Sequence, residues 1–289
     1  MFFRSIAAGR VEPLVDLALF RSRHFTWGTI LATFVSFAMF GIMFATPLYF
    51  QDVAGSDSLL TGVKMLPMIG GLMVGGTFAA RLQTPRVPRG GGAAVARAGF
   101  RSVIAVGFVF IALGLGLGAA TGDTTGEGYA ALWFVLLGFG LGFALPASTN
   151  SALGALTKER SGVGSAVIMT LRQVGATIGV ALLGTILGSV YRSRLGTSSA
   201  AAALPAQART EAGQSVTAGV AVAQRAGNAD LLQAVRDAFV HAMDNTLVVC
   251  ALIAVLGAIL AVLFLPGRGT APSTAEQEEE QEPVVRSRV

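Results

Sequence analysis

The sequence predicts an all-α integral membrane protein, a bundle of six transmembrane helices, and three observations carry that expectation. Only 13% of the 289 residues are charged while 53% are hydrophobic, with a mean hydropathy of +0.66; a soluble domain carries roughly 25% charged residues. Six apolar stretches each reach the roughly 20 residues that cross a hydrocarbon core about 30 Å thick at 1.5 Å per residue. The 37 glycines suit a membrane interior, where small residues let helix backbones approach closely.

The spans fall at about 27–50, 59–80, 102–121, 128–150, 162–190 and 245–265, so that residues 27–265 form one membrane domain. Residues 1–26 lead into it, 191–244 make one long connection, and 266–289 follow it. The net charge of +5 is spread over short loops rather than gathered on a folded face, which excludes nucleic acid as a partner and points to the lipid bilayer. The lead-in carries Arg4, Arg10, Arg21 and Arg23. The second loop carries Arg81, Arg86, Arg89, Arg97 and Arg101, and the fourth carries Lys158 and Arg160. The tail adds Arg268, Arg286 and Arg288, whereas the loops at 51–58 and 122–127 contain neither Lys nor Arg. By the positive-inside rule both ends are expected in the cytoplasm of a multi-pass cell-membrane protein.

The long connection 191–244 is external on this topology, and loops of that length escape the charge rule. Within it, Leu231, Leu232, Val235, Phe239 and Met243 share one helical stripe, which predicts a separate interfacial or cap helix at 229–243. The tail is rich in Pro, Ser, Glu and Arg, and is expected to be a disordered cytoplasmic segment. Met1 to Arg10 lacks the apolar stretch of a secretory signal, so the N-terminus is expected to be retained. Cys250 is the single cysteine and sits in an apolar run, so no disulfide and no cysteine-based metal site is expected, and no cofactor.

Polar residues at membrane depth sort the helices. The third and sixth spans are apolar around their whole circumference and are expected at the periphery, in contact with lipid. The others carry Thr33 and Ser36, Lys64, Ser148, Thr149 and Asn150, and Thr170, Arg172, Gln173 and Thr177; these four are expected to line a cavity. Arg172 lies ten residues past Gly162, about 15 Å into the membrane. An arginine there costs about 2.5 to 3.5 kcal/mol on insertion scales, so it needs water, a carboxylate or carbonyls around it. Two accounts fit: a cavity-lining or gating residue, or a hydrogen-bond anchor between helices. Gln173 fits the same network or a plain helix-to-helix hydrogen bond. Gly71 with Gly75, Gly175 with Gly179, and Gly184 with Gly188 have small-xxx-small spacing, and Gly138, Gly140 and Gly142 alternate before Pro146. Close packing is their expected role, with hinging at the prolines as the other reading.

Several motifs resemble the C-terminal half of the fourteen-helix drug:proton antiporter branch of the major facilitator superfamily. They are E-P-L-V-D-L-A-L-F-R-S-R-H-F (12–25), D-S-L-L-T-G-V-K-M-L-P (57–67), G-F-G-L-G-F-A-L-P (138–146), E-R-S-G-V-G-S-A (159–166) and L-R-Q-V-G-A-T-I-G-V-A (171–181). The resemblance implies one six-helix half of a transporter that moves hydrophobic small molecules against protons by alternating access, with its third and sixth helices peripheral. It also implies a loop-gating role for Arg97, Gly99 and Arg101 in R-A-G-F-R (97–101), although the aspartate usual in that motif is missing and Gly90, Gly91 and Gly92 precede it. A complete transporter of that branch has two such halves, so the chain resembles a fragment or a half that works with an N-terminal half or a second copy. No Asp or Glu occurs in the six spans, so the proton site is expected on the other half. Arg172 then becomes a counter-charge or latch for a carboxylate elsewhere. Phe34, Phe37, Met39 and Phe44 fit either an apolar drug cavity or ordinary packing.

Rival functions find less support. Neither Lys64 nor Lys158 follows a glycine, so no G-K-[ST] phosphate loop exists for an ATP-driven pump. His24 and His241 are expected outside the membrane on opposite sides, too far apart for an intramembrane hydrolase. A non-transporting remnant or scaffold is the remaining alternative.

Overall fold

A computed structural model describes residues 17–83, 99–120 and 127–265. The lead-in before Leu17, Arg97 with most of its loop, and the tail at 266–289 lie outside the described residues. Eleven segments follow in order: a 3-10 turn Leu17–Arg21, α1 Arg23–Leu48, a π turn Tyr49–Val53, α2 Ser58–Gln83, α3 Phe100–Ala119, α4 Glu127–Leu153, α5 Lys158–Gly196, the short α6 Ser199–Ala202, α7 Ala206–Ala212, α8 Val216–Arg225, and α9 Ala229–Phe264. Among the described residues, six helices are long and apolar enough to cross a membrane.

Local chemistry sets their ends. Ser22 caps α1 by accepting from the Phe25 amide at 3.4 Å, and Asp57 caps α2 by accepting from the Leu60 amide at 2.7 Å, each occupying a donor that the first turn leaves free. Asn228 does the same for α9, with the Leu231 amide 3.0 Å from its side-chain oxygen. Gly227, at φ 58°, supplies the left-handed residue that ends α8 just before it.

The fifth and sixth spans differ from expectation. α5 continues past residue 190 to Gly196, and α9 begins at Ala229 rather than at 245. The stretch expected as a separate cap helix is therefore the first part of the last span. No glycine or proline interrupts the chain between Ala229 and Val255, so nothing breaks the backbone ladder where hydropathy changes. At 36 residues α9 is about 54 Å long, far more than the hydrocarbon core requires. With the end of α5 and helices α6 to α8, its first turns make a packed cap. Tyr191, Leu195, Ala201, Ala212, Val216, Val222, Ala223, Leu231 and Val235 all join the main apolar core.

Glycine contacts fix how the helices run. At the α1–α5 seam Gly175 meets Thr33, Gly179 meets Phe37, and Gly41 meets Leu183; the numbers rise together, so these helices are parallel. Gly138 against Met68 and Gly142 against Leu72 make α2 and α4 parallel in the same way. Gly107 faces Ala144 and Gly114 faces Leu137; there one number falls as the other rises, so α3 is antiparallel to α4. Successive spans thus alternate in direction. α2, α4, α1 and α5 neighbour one another in that order, and the α3–α9 pair packs behind them. Between their ends that pair exposes large apolar side chains such as Val109, Leu113, Leu252 and Ile259.

One end of the bundle, here the basic end, carries Arg23, Arg81, Arg101 and Lys158. The other, the capped end, carries the π turn, Ser58, Ala119, Glu127 and the cap helices.

Candidate functional site

Arg172 lies fourteen residues into α5 and Ser36 thirteen residues into α1, both counted from the basic end. These helices are parallel, so the two side chains reach the same height, about 20 Å along each axis. The Arg172 Nε donates to Ser36 Oγ at 3.1 Å. Ser36, 1% exposed, in turn donates a hydrogen bond from its hydroxyl to the Ala32 carbonyl at 3.0 Å. Arg172 Nη1 also reaches Met169 Sδ at 4.0 Å. A half-buried guanidinium is thereby hooked onto α1 through its Nε, while Nη1 rests against the Met169 sulfur of its own helix. The hydrogen bond to Ser36 ties α5 to α1 at this height.

Gln173 and Thr177 are exposed on α5 one turn apart. The Thr177 hydroxyl donates to the Gln173 carbonyl at 3.0 Å, and Thr170 bonds its own preceding turn in the same manner at 2.9 Å. Their hydroxyls are spent on their own helix, which lets α5 present polar residues at depth at low cost. With Ala166, Ala181 and Thr185, also exposed, they form a stripe of small and polar side chains.

Phe37 does not share this face. It is 9% exposed, and its backbone lies against Gly179, where an added Cβ would stand 2.5 Å from the Phe37 carbonyl oxygen; it closes the α1–α5 seam. The exposed large apolar side chains of α1 are Phe40, Met43 and Phe44, which follow Ser36 at helical spacing. Phe40 and Met43 were missed in the sequence; a count of four and seven residues from Ser36 finds both. Asn150 is also elsewhere. It lies three residues from the last residue of α4, at the basic end, where its Nδ2 donates to Gln83 Oε1 at 3.2 Å and ties α4 to α2.

Gly138 and Gly142 sit against the Met68 and Leu72 carbonyls of α2, with Gly71 and Gly75 returning the contact to Val135 and Phe139. Gly140 points the other way, where a Cβ would stand 2.6 Å from the Ile111 nitrogen and 2.7 Å from the Gly107 carbonyl. The alternation therefore lets α4 touch α2 and α3 at once. Pro146, inside α4, supplies no N–H for the Gly142 carbonyl. Gly184 and Gly188 make no such crossing: Gly188 has nothing within 4 Å. At the basic loop, Gly99 caps α3 and its carbonyl accepts from the Ser102 hydroxyl at 2.8 Å, with Arg101 exposed. Lys64 serves the capped end, its Nζ 3.2 Å from Ser56 Oγ and 5.6 Å from the Phe50 ring centre.

A bundle of six membrane-length helices, with polar side chains on an open face of two parallel helices, is the architecture of a membrane carrier. The chain belongs to the Major Facilitator Superfamily, whose model matches residues 4–180, a family of non-enzymatic transporters. It is 28% identical over 261 residues to the tetracenomycin C resistance and export protein of Streptomyces glaucescens, covering 87% of this chain and 46% of that protein. It is likewise 28% identical over 262 residues to the multidrug efflux pump LfrA of Mycolicibacterium smegmatis, covering 87% and 48%. The chain thus spans about half the length of the curated relatives it matches. Its fold also resembles an inward-facing, unoccupied bacterial homologue of the human lysosomal transporter Spinster, with a TM-score of 0.63 at 14% identity, over 91% of this chain and 53% of that one.

Proposed function

We propose that this chain is the C-terminal half of a proton-coupled efflux antiporter for hydrophobic small molecules, of the fourteen-helix branch, working by alternating access. The carrying observation is the exposed polar stripe of α5 beside Arg172. Gln173 and Thr177 stand on the outer surface of a membrane helix, and such groups at depth belong against protein or a water-filled cavity. A second six-helix half lying over α1 and α5 supplies both, with the substrate bound between the halves. Phe40, Met43 and Phe44 give that space an apolar wall, and Arg172 supplies its fixed positive charge. The relatives' names, for drug resistance and export, and their doubled length support the same reading. The spans read from hydropathy hold no Asp or Glu, and the acids that the longer α9 adds, Asp230, Asp237 and Asp244, all precede its apolar stretch, so the proton-binding carboxylate belongs to the partner half, within reach of Arg172.

The distribution of loop arginines supports a cell-membrane orientation with both termini cytoplasmic and the capped end outside. The half-length match also favours a second reading, a remnant or scaffold that transports nothing. Efflux of a fluorescent hydrophobic cation from proteoliposomes, driven by an imposed pH gradient, separates them. The purified chain alone is expected to be inactive and to become active when co-reconstituted with a six-helix N-terminal half of an efflux relative. Coupled efflux by the chain alone would replace the two-half assembly with a homodimer; no efflux in any combination favours the remnant.

A further inference from the structure

The capped end contains a polar link between distant parts of the chain that the transport face does not use. The Thr217 hydroxyl, in the first turn of α8, donates to Asp52 Oδ2 at 2.8 Å across 165 residues. Asp52 lies in the π turn Tyr49–Val53 that continues α1, five residues beyond Pro47. The missing Pro47 N–H frees the Met43 carbonyl, and a proline followed by a π turn is where a helix bends. Gly55, at φ 65°, then turns the chain toward α2.

The two sides of this link differ in firmness. On the cap side, the Tyr191 hydroxyl donates to the Ala212 carbonyl at 2.9 Å with the ring 2% exposed, and Gly219 of α8 abuts that hydroxyl and the Val235 methyls. α8 is thereby fixed to α5 and α9. On the bundle side, Phe50 of the same π turn is 5% exposed and stacks on Phe134 of α4 with ring centres 5.9 Å apart. The end of α1 rests on a buried aromatic contact with α4 and on the side of α9, and an exposed hydrogen bond joins it to α8 of the cap. Water competes for the exposed one, so it is the contact that opens first.

We propose that Asp52 and Thr217 are a positioning pair, and that the connection between α5 and α9 is a strap that sets how far the capped end of α1 swings away from those helices. The transport consequence rests on the alternating-access reading above; the mechanical link does not. In that reading, the strap holds the capped side closed until the pair parts.

Two measurements on the full chain test this. Amide hydrogen exchange in lipid nanodiscs compares the native protein with Thr217→Val, which keeps the shape and loses the donor, and Thr217→Ser, which keeps the donor. Exchange at 49–54 is expected to rise about threefold to tenfold in Thr217→Val, the size of one ordinary, solvent-exposed protein hydrogen bond, and to stay within about twofold of native in Thr217→Ser. Equal exchange in all three proteins overturns the pair, as does acceleration spread evenly over α8, which would mark Thr217 as a folding residue of the cap. The second measurement joins Asp52→Cys to Thr217→Cys in a Cys250→Ala background, which removes the buried native thiol. In the assembled transporter, oxidation is expected to cut efflux at least about tenfold and reductant to restore it. Undiminished efflux after complete cross-linking overturns the strap and leaves the transport reading standing. Loss of efflux in the native assembly as well sinks that reading, and the exchange data then decide the strap alone.

Discussion

Arg172 and Ser36 meet at matching heights on two parallel helices, the guanidinium Nε 3.1 Å from a serine hydroxyl that is itself tied to the Ala32 carbonyl. The cation is held by this neutral hydrogen bond and a weaker contact with the Met169 sulfur, and no carboxylate pairs with it among the described residues. A neutral acceptor offsets less of the several kcal/mol that a membrane arginine costs than an ion pair does. The guanidinium is therefore positioned rather than neutralised, which in the proposed two-half assembly suits a charge that meets a carboxylate of the other half.

From that follows the first expectation. In the assembled transporter, Arg172→Ala should abolish or strongly reduce efflux while the protein still inserts, because removing the charge eases insertion by about 2.5 to 3.5 kcal/mol. Arg172→Lys should recover part of the activity, since an ammonium keeps the charge but loses the planar fork. Efflux and membrane abundance must be read together. Normal transport by Arg172→Ala would make the residue a dispensable anchor, and failure to accumulate would make it a folding residue.

Orientation can be decided separately. Ala54→Cys at the capped end and Arg101→Cys at the basic end, each exposed and each in a Cys250→Ala background, should react oppositely with a membrane-impermeant maleimide on intact cells. Label is expected on Ala54→Cys alone until the cells are opened. The reverse pattern would put the cap in the cytoplasm and discard the topology drawn from the loop arginines.

What could be read from the sequence depended on whether one side chain or a pair of helices decided the matter. The depth of Arg172 followed from counting residues, because rise per residue is fixed. Its partner Ser36 did not, because the α1–α5 register is set by Gly175 and Gly179 fitting against Thr33 and Phe37 across the seam. The same register explains Phe37: aromatic character alone does not say which side of α1 faces α5. Asn150 was grouped with Arg172 because both are polar residues in spans, but α4 and α5 run in opposite directions and meet at the basic end, so their heights differ. The continuity of α9 escaped notice for a different reason. Hydropathy marks where lipid begins, whereas a helix ends only where its backbone is capped or broken, and nothing at Asp244 or Asn245 does either.

The glycine alternation at 138–142 yields an expectation in which one substitution type changes sign with position. Alanine at Gly142 puts a Cβ against the Leu72 carbonyl and 2.9 Å from the Gly76 nitrogen, both backbone atoms of a helix that can yield only by moving away. Such overpacking costs about 1 to 3 kcal/mol. Gly62 on α2 and Gly116 on α3 have nothing within 4 Å, so alanine there meets no obstacle and gains the helix propensity that glycine lacks, about 1 kcal/mol. Unfolding by SDS titration in mixed micelles should therefore find Gly142→Ala and Gly138→Ala destabilised, and Gly62→Ala and Gly116→Ala at least as stable as the native chain. Gly140→Ala should be destabilised as well, but through α3, since its neighbours are Ile111 and Gly107. A double variant of Gly140 and Gly142 tests that separation: the two losses should add to within about 0.5 kcal/mol if the seams are independent. Stability unchanged by alanine at Gly142 would mean that α2 and α4 are not in contact at this crossing, and with it would go the rigid frame on which the α1–α5 face is carried.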